Sequence, residues 1–204
     1  NGELEYFRRN FAPFNILDEL KYNFINLKVV DVSAQTDFEV NPIDNLSLKG
    51  VVQFRYANTL RDHTIHEKSN QAEAYRADDT QFIQDANNLL YRDPDNLGLN
   101  PVSVLPVGGF NYLDRSDLLN LYSRVSAEWN KTINEIHQLN ILTGGEMRFT
   151  NRTESNSTAL GIIYESGGIV VTDPNIIEFF NSQNIEINGR GIERDRFLGL
   201  FING

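Results

Sequence analysis

Cysteine is absent from this chain of 204 residues. A chain without thiols forms no disulfide, offers no cysteine nucleophile and binds no metal through sulfur. The absence is compatible with both reducing and oxidising compartments. It therefore excludes these three kinds of chemistry but does not indicate where the protein is located.

Long apolar runs are also lacking, since no stretch approaches the ~18 consecutive apolar residues of a membrane-spanning helix. No basic segment followed by an apolar one opens the chain, as it would in a signal peptide. Hydropathy alone therefore predicts a soluble protein. Membrane β-barrels escape this test, because their strands alternate apolar and polar residues and each is only half apolar.

Basic residues are the minority among the charges: 18 Lys and Arg stand against 28 Asp and Glu, for a net charge of −10. A protein that binds nucleic acid neutralises phosphates with a basic surface. The charge balance argues against that class, and we expect no nucleic-acid partner.

What the chain does contain is strict alternation of apolar and polar residues, over runs longer than the ~5–6 residues of an ordinary strand. Tight turns are predicted at 42–44, with Pro42 in the turn, and at 132–135. The segments between the turns are long, and one of them, 62–115, contains a predicted helix at Ser69–Ala77 with Ser69 as its N-cap. A second helix is predicted from Asp173 and Pro174 through Phe180. The predicted strands lie near 3–9, 28–41, 45–61, 116–131, 136–152 and 192–204, and the predicted long loops are 11–27, 62–115 and 153–191.

Two architectures account for such strands. In a soluble β-sandwich, here a secreted glycan-binding module, the apolar face of each strand packs on a second sheet. In an outer-membrane barrel that face meets lipid, short turns lie on the periplasmic rim and long loops on the extracellular rim. Strand length and turn asymmetry favour the barrel. Aromatic residues near the strand ends do so too: Phe38 and Trp129 by the tight turns, and Phe54, Tyr56 and Phe149 towards the long loops.

Several stretches also resemble one family, the SusC/RagA class of TonB-dependent outer-membrane transporters of Bacteroidota. The resemblance is carried by their order and spacing more than by any one of them. They are Asp31–Val40 (DVSAQTDFEV), Phe54–His63 (FRYANTLRDH), Ser69–Ala77 (SNQAEAYRA), Tyr91–Asn96 (YRDPDN), Leu105–Phe110 (LPVGGF), Gly144–Arg148 (GGEMR) and Arg196–Phe201 (RFLGLF).

The resemblance implies that residues 1–204 are an interior part of one antiparallel transmembrane β-barrel domain, about six strands of ~22. It implies an integral protein of the outer membrane, non-enzymatic and without a cofactor, that imports glycan or peptide fragments. The implied partners are a SusD-like surface lipoprotein, the TonB–ExbB–ExbD energising system and outer-membrane lipid. Family residues for TonB contact and for the plug have no matching positions in this chain.

Two groups of candidate residues follow. We expect one set of polar strand residues to face the lumen and plug, and one set of loop residues to contact the substrate, because aromatic rings and hydrogen-bond donors suit sugars and peptides. No catalytic residue and no metal site are predicted. His63 and His66 lack a third ligand, and 93–98 fits a turn better than a calcium loop. The lumen-facing set is Asp31, Gln35, Asp37, Glu39, Lys49, Gln53, Arg55, Arg124, Glu128, Glu146 and Arg148; the loop set is Tyr75, Arg76, Tyr91, Arg92, Phe110 and Tyr112.

Overall fold

A computed structural model describes residues 4–134, 136–170, 174–183 and 187–204. Five long strands dominate these residues: β3 (Asn23–Ile43), β4 (Leu46–Ile65), β7 (Gly109–Ile133), β8 (His137–Ile163) and β10 (Asn188–Asn203). The short strands are β1 (Phe7–Arg9), β2 (Ala12–Phe14), β5 (Leu90–Tyr91), β6 (Val102–Ser103) and β9 (Ile169–Val170). The helices are α1 (Ile16–Tyr22), α2 (Asn70–Ala74), α3 (Gln81–Ala86) and α4 (Pro174–Ser182), with a 3₁₀ turn at Tyr164–Ser166.

The long strands form one sheet in the order β10-β8-β7-β4-β3, and β9 pairs with β8 at its side. The predicted all-β antiparallel fold is confirmed. The predicted strand near 3–9 is not part of this sheet. Instead, β1 pairs with β2 in a small hairpin of its own, with Phe7 opposite Phe14, and Glu3 lies outside the described residues.

The strands are longer than their alternation predicts. β4 continues to Ile65, β7 already begins at Gly109 and β8 runs on to Ile163. Side chains on both faces of these extensions are buried, partly buried or polar, so the period-2 contrast between the two faces disappears although the backbone ladder continues. The predicted loops are correspondingly shorter than 62–115 and 153–191.

The first tight turn is shorter than predicted, because β3 ends at Ile43 and β4 begins at Leu46. Asn45 has φ 73°, a left-handed conformation that Asn adopts more readily than most residues. Asn134 has φ 53° after β7, while Glu135 lies outside the described residues.

Ser69 caps α2 as predicted, its side chain accepting a hydrogen bond from the Ala72 N–H at 3.1 Å. The helix ends at Ala74, short of the predicted Ala77. α1 and α3 are additional helices that the sequence pattern did not indicate. α4 occupies the predicted position, although Asp173, its predicted N-cap, lies outside the described residues. None of the described helices is long and apolar enough to span a membrane.

Two compact units divide the chain. The loop unit comprises Asn1–Leu27, Leu60–Asp114 and Ser155–Gly189, and the strand unit comprises Lys28–Thr59, Arg115–Glu154 and Arg190–Gly204. All five long strands contribute residues to both units. That the whole chain belongs to one barrel domain stays a prediction.

The loop unit has a small apolar core around Phe110, whose side chain is fully buried. The rings of Tyr75 and Tyr112 meet that of Phe110 edge-on, with centroids 5.4 and 5.5 Å away. Edge-to-face contacts of this kind stabilise aromatic clusters beyond the area they bury. The other core residues are Ile65, Ala72, Val104, Leu105, Leu160 and Phe179.

Candidate functional site

The apolar face of the strand unit is uncovered. Val32 and Val40 on β3 are each 53% exposed, and Phe38 is 47% exposed. No second sheet packs on these side chains among the described residues. Monomeric soluble proteins rarely expose a contiguous apolar surface of this kind, and the sandwich alternative requires it to be covered.

The apolar face has polar borders. At one end of the β7 segment Asp117 accepts hydrogen bonds from Asn58 at 2.6 Å and from Tyr56 at 3.4 Å. At the other end Lys131 lies 5.8 Å from the Trp129 ring. The band between them, 119–129, has eleven residues. At ~3.3 Å per residue and a tilt of ~40°, it spans roughly 25 Å, the height of the apolar belt of a membrane barrel.

The opposite face of the strand unit is charged and internally paired. Arg55 donates two hydrogen bonds to the Asp31 carboxylate, at 3.1 and 2.7 Å. Lys49 lies 3.9 Å from the Glu39 carboxylate and 3.4 Å from that of Glu128. These contacts join β3, β4 and β7 across one face, as the alternation requires.

An open depression of about 430 Å³ lies on this polar face. Two hydrogen bonds of its lining residues join β7 to β8: Tyr122 donates to Glu146 at 3.0 Å, and Asn120 donates to Thr150 at 2.8 Å. The lining residues are Gln53, Arg55, Leu118, Asn120, Tyr122, Arg148, Thr150 and Arg152. Three of them, Gln53, Arg55 and Arg148, belong to the predicted lumen-facing set.

The polar face also carries two phenylalanine rings that the sequence analysis did not single out. The Cζ atom of Arg124 lies 4.7 Å from the centre of the Phe201 ring, and that of Arg148 lies 5.7 Å from the centre of the Phe197 ring. The alternation within β10 places both rings on one face. Which face of the sheet this is depends on the register in which β10 pairs with β8. Because a long connection separates these two strands, the sequence does not specify that register.

All eleven predicted lumen-facing residues lie on β3, β4, β7 or β8. Their contacts assemble most of them into groups, since Gln35 donates to Asp37 at 3.2 and 3.0 Å and Ser47 donates to Glu39 at 2.8 Å. That they face a lumen or a plug is a separate statement, taken up below as a proposal.

Most of the predicted loop residues serve the structure of the loop unit. Phe110 is inaccessible to a ligand, and Tyr75 and Tyr112 pack against it. Burial lowers the pKa of Arg76, whose guanidinium donates to the Gly108 carbonyl at 2.8 Å and to that of Glu67. The residue types suited to ligand binding are equally suited to closing a small core, and the sequence pattern does not separate the two roles.

Of the two remaining loop candidates, Tyr91 is partly buried and packs against the same core, whereas Arg92 is exposed. The Tyr91 hydroxyl donates to the Glu178 carboxylate at 2.9 Å, which ties β5 to α4. The guanidinium of Arg92 is exposed and donates to the Gln84 carbonyl. Both remain candidates for substrate contact.

The two histidines of β4 and its extension contact aromatic rings. His63 has a nitrogen 2.7 Å from the Asn23 side-chain oxygen, and its ring is tilted against that of Tyr112. His66 is stacked on Tyr164 at 5.3 Å. No group of three potential metal ligands occurs among the described residues.

The segment 93–98 forms the predicted turn. The Asp93 carboxylate accepts from the Asp95 N–H at 2.9 Å and from the Asn96 amide at 2.8 Å. These hydrogen bonds, that from Asn96 first, hold the pKa of Asp93 below its ordinary value.

Comparisons with known proteins give matches to solved structures alone, since no family model and no curated protein matches the chain. One similar structure is described as the RagAB peptide transporter, with a TM-score of 0.63 and 14% identity over 99% of this chain and 19% of that one. Another is the RagAB peptide importer in the "closed-closed" state, with a TM-score of 0.62 and 13% identity over 98% of this chain and 18% of that one. The chain thus spans about a fifth of the length of these transporter chains.

At these identities the likeness concerns the fold. It confirms, at that level, the family resemblance carried by the motifs: the described strands have the fold of one part of a RagAB transporter chain.

Proposed function

We propose that this chain is part of the wall of a SusC-like, TonB-dependent transporter of the outer membrane. In this proposal the complete protein imports peptide or glycan fragments, without catalysis, together with a SusD-like lipoprotein and powered by the TonB–ExbB–ExbD system. The apolar face contacts lipid, the polar face lines the lumen and contacts a plug, and the long connections are extracellular.

The uncovered apolar face is the observation that carries the proposal. Valine and phenylalanine side chains half exposed on one face, with salt-bridged residues on the other, suit a wall between hydrocarbon and a hydrated interior. A band of roughly 25 Å between polar borders matches the thickness of the apolar belt. The fold similarity to two transporter structures supports the same assignment.

Fractionation and uptake test the proposal. The complete protein should be recovered with outer membranes, remain there after a high-salt wash and require detergent for release. Cells lacking it should lose uptake of a labelled mixture of short peptides, or of oligosaccharides, and the same loss should follow removal of the proton-motive force. Recovery in the soluble fraction without detergent would contradict the membrane assignment, and uptake indifferent to the proton-motive force would contradict TonB dependence.

A further inference from the structure

Two guanidiniums on the polar face of the strand unit have no carboxylate partner among the described residues, those of Arg124 and Arg148, and of the two only Arg148 lines the depression. Arg148 is exposed, lines the depression and lies against the Phe197 ring. Its guanidinium makes no hydrogen bond and no ion pair in the part of the chain that the structure describes. The other two arginines of the depression are engaged, Arg55 by Asp31 at 2.7 Å and Arg152 by Glu193 at 3.3 Å.

The charges of the depression therefore do not cancel. Three guanidiniums line it and two carboxylates bind them, which leaves one positive charge, that of Arg148. The Glu146 carboxylate accepts a hydrogen bond from the Tyr122 hydroxyl, makes no ion pair with Arg148 and is not among the residues that line the depression. A cation without a partner, in a site whose lining contains no carboxylate, selects an anion as its ligand.

The Phe197 ring holds the Arg148 guanidinium in place before a ligand binds. A guanidinium lying against an aromatic ring gains cation–π energy and loses freedom, while its N–H edges stay available. Five N–H donors in a planar fork match the two oxygens of a carboxylate, which they bind with charge-assisted hydrogen bonds.

The position and the volume of the depression suit a ligand that enters from the side of the long connections. Asn120 and Tyr122 lie at the end of the apolar band remote from the tight turn after β7. Under the proposed orientation this is the extracellular side of the wall. A volume of about 430 Å³ is within the ~300–1,000 Å³ of small-molecule sites.

We propose that the depression binds a carboxylate of the transported ligand through Arg148. The inference rests on the proposed function and adds a substrate class to it. Because the similar structures are described as peptide transporters, we take the C-terminal carboxylate of a short peptide as the first source, and an acidic sugar offers the same chemistry.

Paired probes test for the carboxylate. The complete protein, purified in detergent, is titrated with a mixed library of N-terminally labelled hexapeptides free of Asp and Glu, and with the same library carrying C-terminal amides. We expect the free-acid library to bind about tenfold more tightly, because the amide removes a charge-assisted bidentate contact. A second arm compares a labelled oligouronate with a neutral oligosaccharide of equal length.

Arg148→Gln should abolish this preference and leave the affinity for amidated peptides unchanged, and Arg148→Lys should restore part of it. Arg196→Gln is the matched control, because Arg196 has the same relation to an aromatic ring, 5.8 Å from the centre of Phe149, on the opposite face of the sheet. It should leave both affinities unchanged. The thermal transition of each variant in detergent verifies that the barrel is intact.

A preference for the carboxylate probe that depends on Arg148 supports the inference, whether it occurs with the peptides or with the saccharides. Which of the two pairs shows the preference identifies the source of the carboxylate. It is overturned if neither carboxylate probe binds more tightly than its neutral partner, or if the preference persists in Arg148→Gln. Import of amidated and free peptides at equal rates would overturn it while the proposed function stands. Binding that depends on Arg148 in a protein that imports nothing would instead contradict the proposed function.

Discussion

At the scale of single residues, Glu67 holds two segments of the loop unit together. Its carboxylate accepts from the backbone N–H groups of Tyr164 at 3.3 Å and Glu165 at 3.2 Å. Burial acts to raise the pKa of Glu67, but backbone N–H donors, including its own, outweigh burial, and the pKa is lowered. The ionised carboxylate thus anchors the 3₁₀ turn that follows β8.

Glu67→Gln should loosen this turn. The amide keeps one acceptor oxygen and turns an NH₂ group towards an N–H donor, a loss of about 1.5–3 kcal/mol for hydrogen bonds to a charged group. Backbone amides of Tyr164 and Glu165 should then exchange hydrogen roughly ten- to a hundredfold faster, as measured on the peptide covering 160–166. Glu5→Gln, at an exposed carboxylate with no hydrogen-bond partner among the described residues, should leave that exchange unchanged.

The pH dependence of this anchor has a definite sign. Because the folded pKa of Glu67 is lower than the unfolded value near 4.5, its contribution is complete above that value and is lost as the pH falls through the folded pKa. Protection of the 160–166 amides should therefore decline on acidification below about pH 4.5, and Glu67→Gln should remove this component. An unchanged acid profile in the variant would contradict the assignment.

Gly50 illustrates a different single-residue constraint. A Cβ added there would lie 2.0 Å from the Phe38 ring, which covers this glycine on the apolar face. Gly50→Ala should displace the ring and destabilise the β3–β4 hairpin by about 1–3 kcal/mol, seen as faster hydrogen exchange across 36–52. Gly191→Ala, where nothing lies within 4 Å of the added Cβ, should be near neutral. Equal effects of the two variants would argue against the ring contact.

At the scale of the element, alternation along β3 determines whether each side chain faces lipid or water under the proposed function. A chain without cysteine allows single-cysteine labelling without background. Val32→Cys should react with a lipid-soluble maleimide and resist a charged, water-soluble one, because its side chain points towards lipid under the proposed function. Ser33→Cys should show the opposite selectivity in the complete protein. The reverse pattern would contradict the proposed facing.

The length of the elements also limited what the sequence revealed. Alternation identified the middle of each long strand, where one face is apolar and the other polar. It failed at 62–65 and 109–115, because side chains such as Ile65 and Phe110 are buried there in the loop unit rather than in a regular two-faced environment. Pairing between distant strands, which brings Phe197 against Arg148, has no local signal at all.

At the scale of the whole molecule, two features of this segment are unfavourable in water. Its apolar face is open, and β3 and β10 end the order of long strands in the described sheet, each with one long-strand neighbour. Exposed apolar surface and unpaired strand edges both promote association.

We therefore expect residues 1–204, expressed alone, to associate in aqueous buffer and to disperse in detergent micelles. Sedimentation velocity in the two solvents measures this directly. Detergent should shift the mass distribution towards a single chain per micelle, because micelles cover the apolar face, although edge pairing between strands can persist. A monodisperse monomer in water would contradict the interpretation of the apolar face.

The sequence by itself determined the all-β class, the middle of each long strand, the approximate place of the first tight turn and the two-faced character of the sheet. These features are local, because strand alternation and turn formation both depend on residues that are adjacent in the sequence. Only the tertiary structure decided that Phe110 and Tyr75 belong to a core, that Arg76 bonds backbone carbonyls beside it, and that Arg148 alone among the arginines of its depression lacks a carboxylate. Those facts depend on which distant strands pair and in what register, and long connections leave both free until the chain folds.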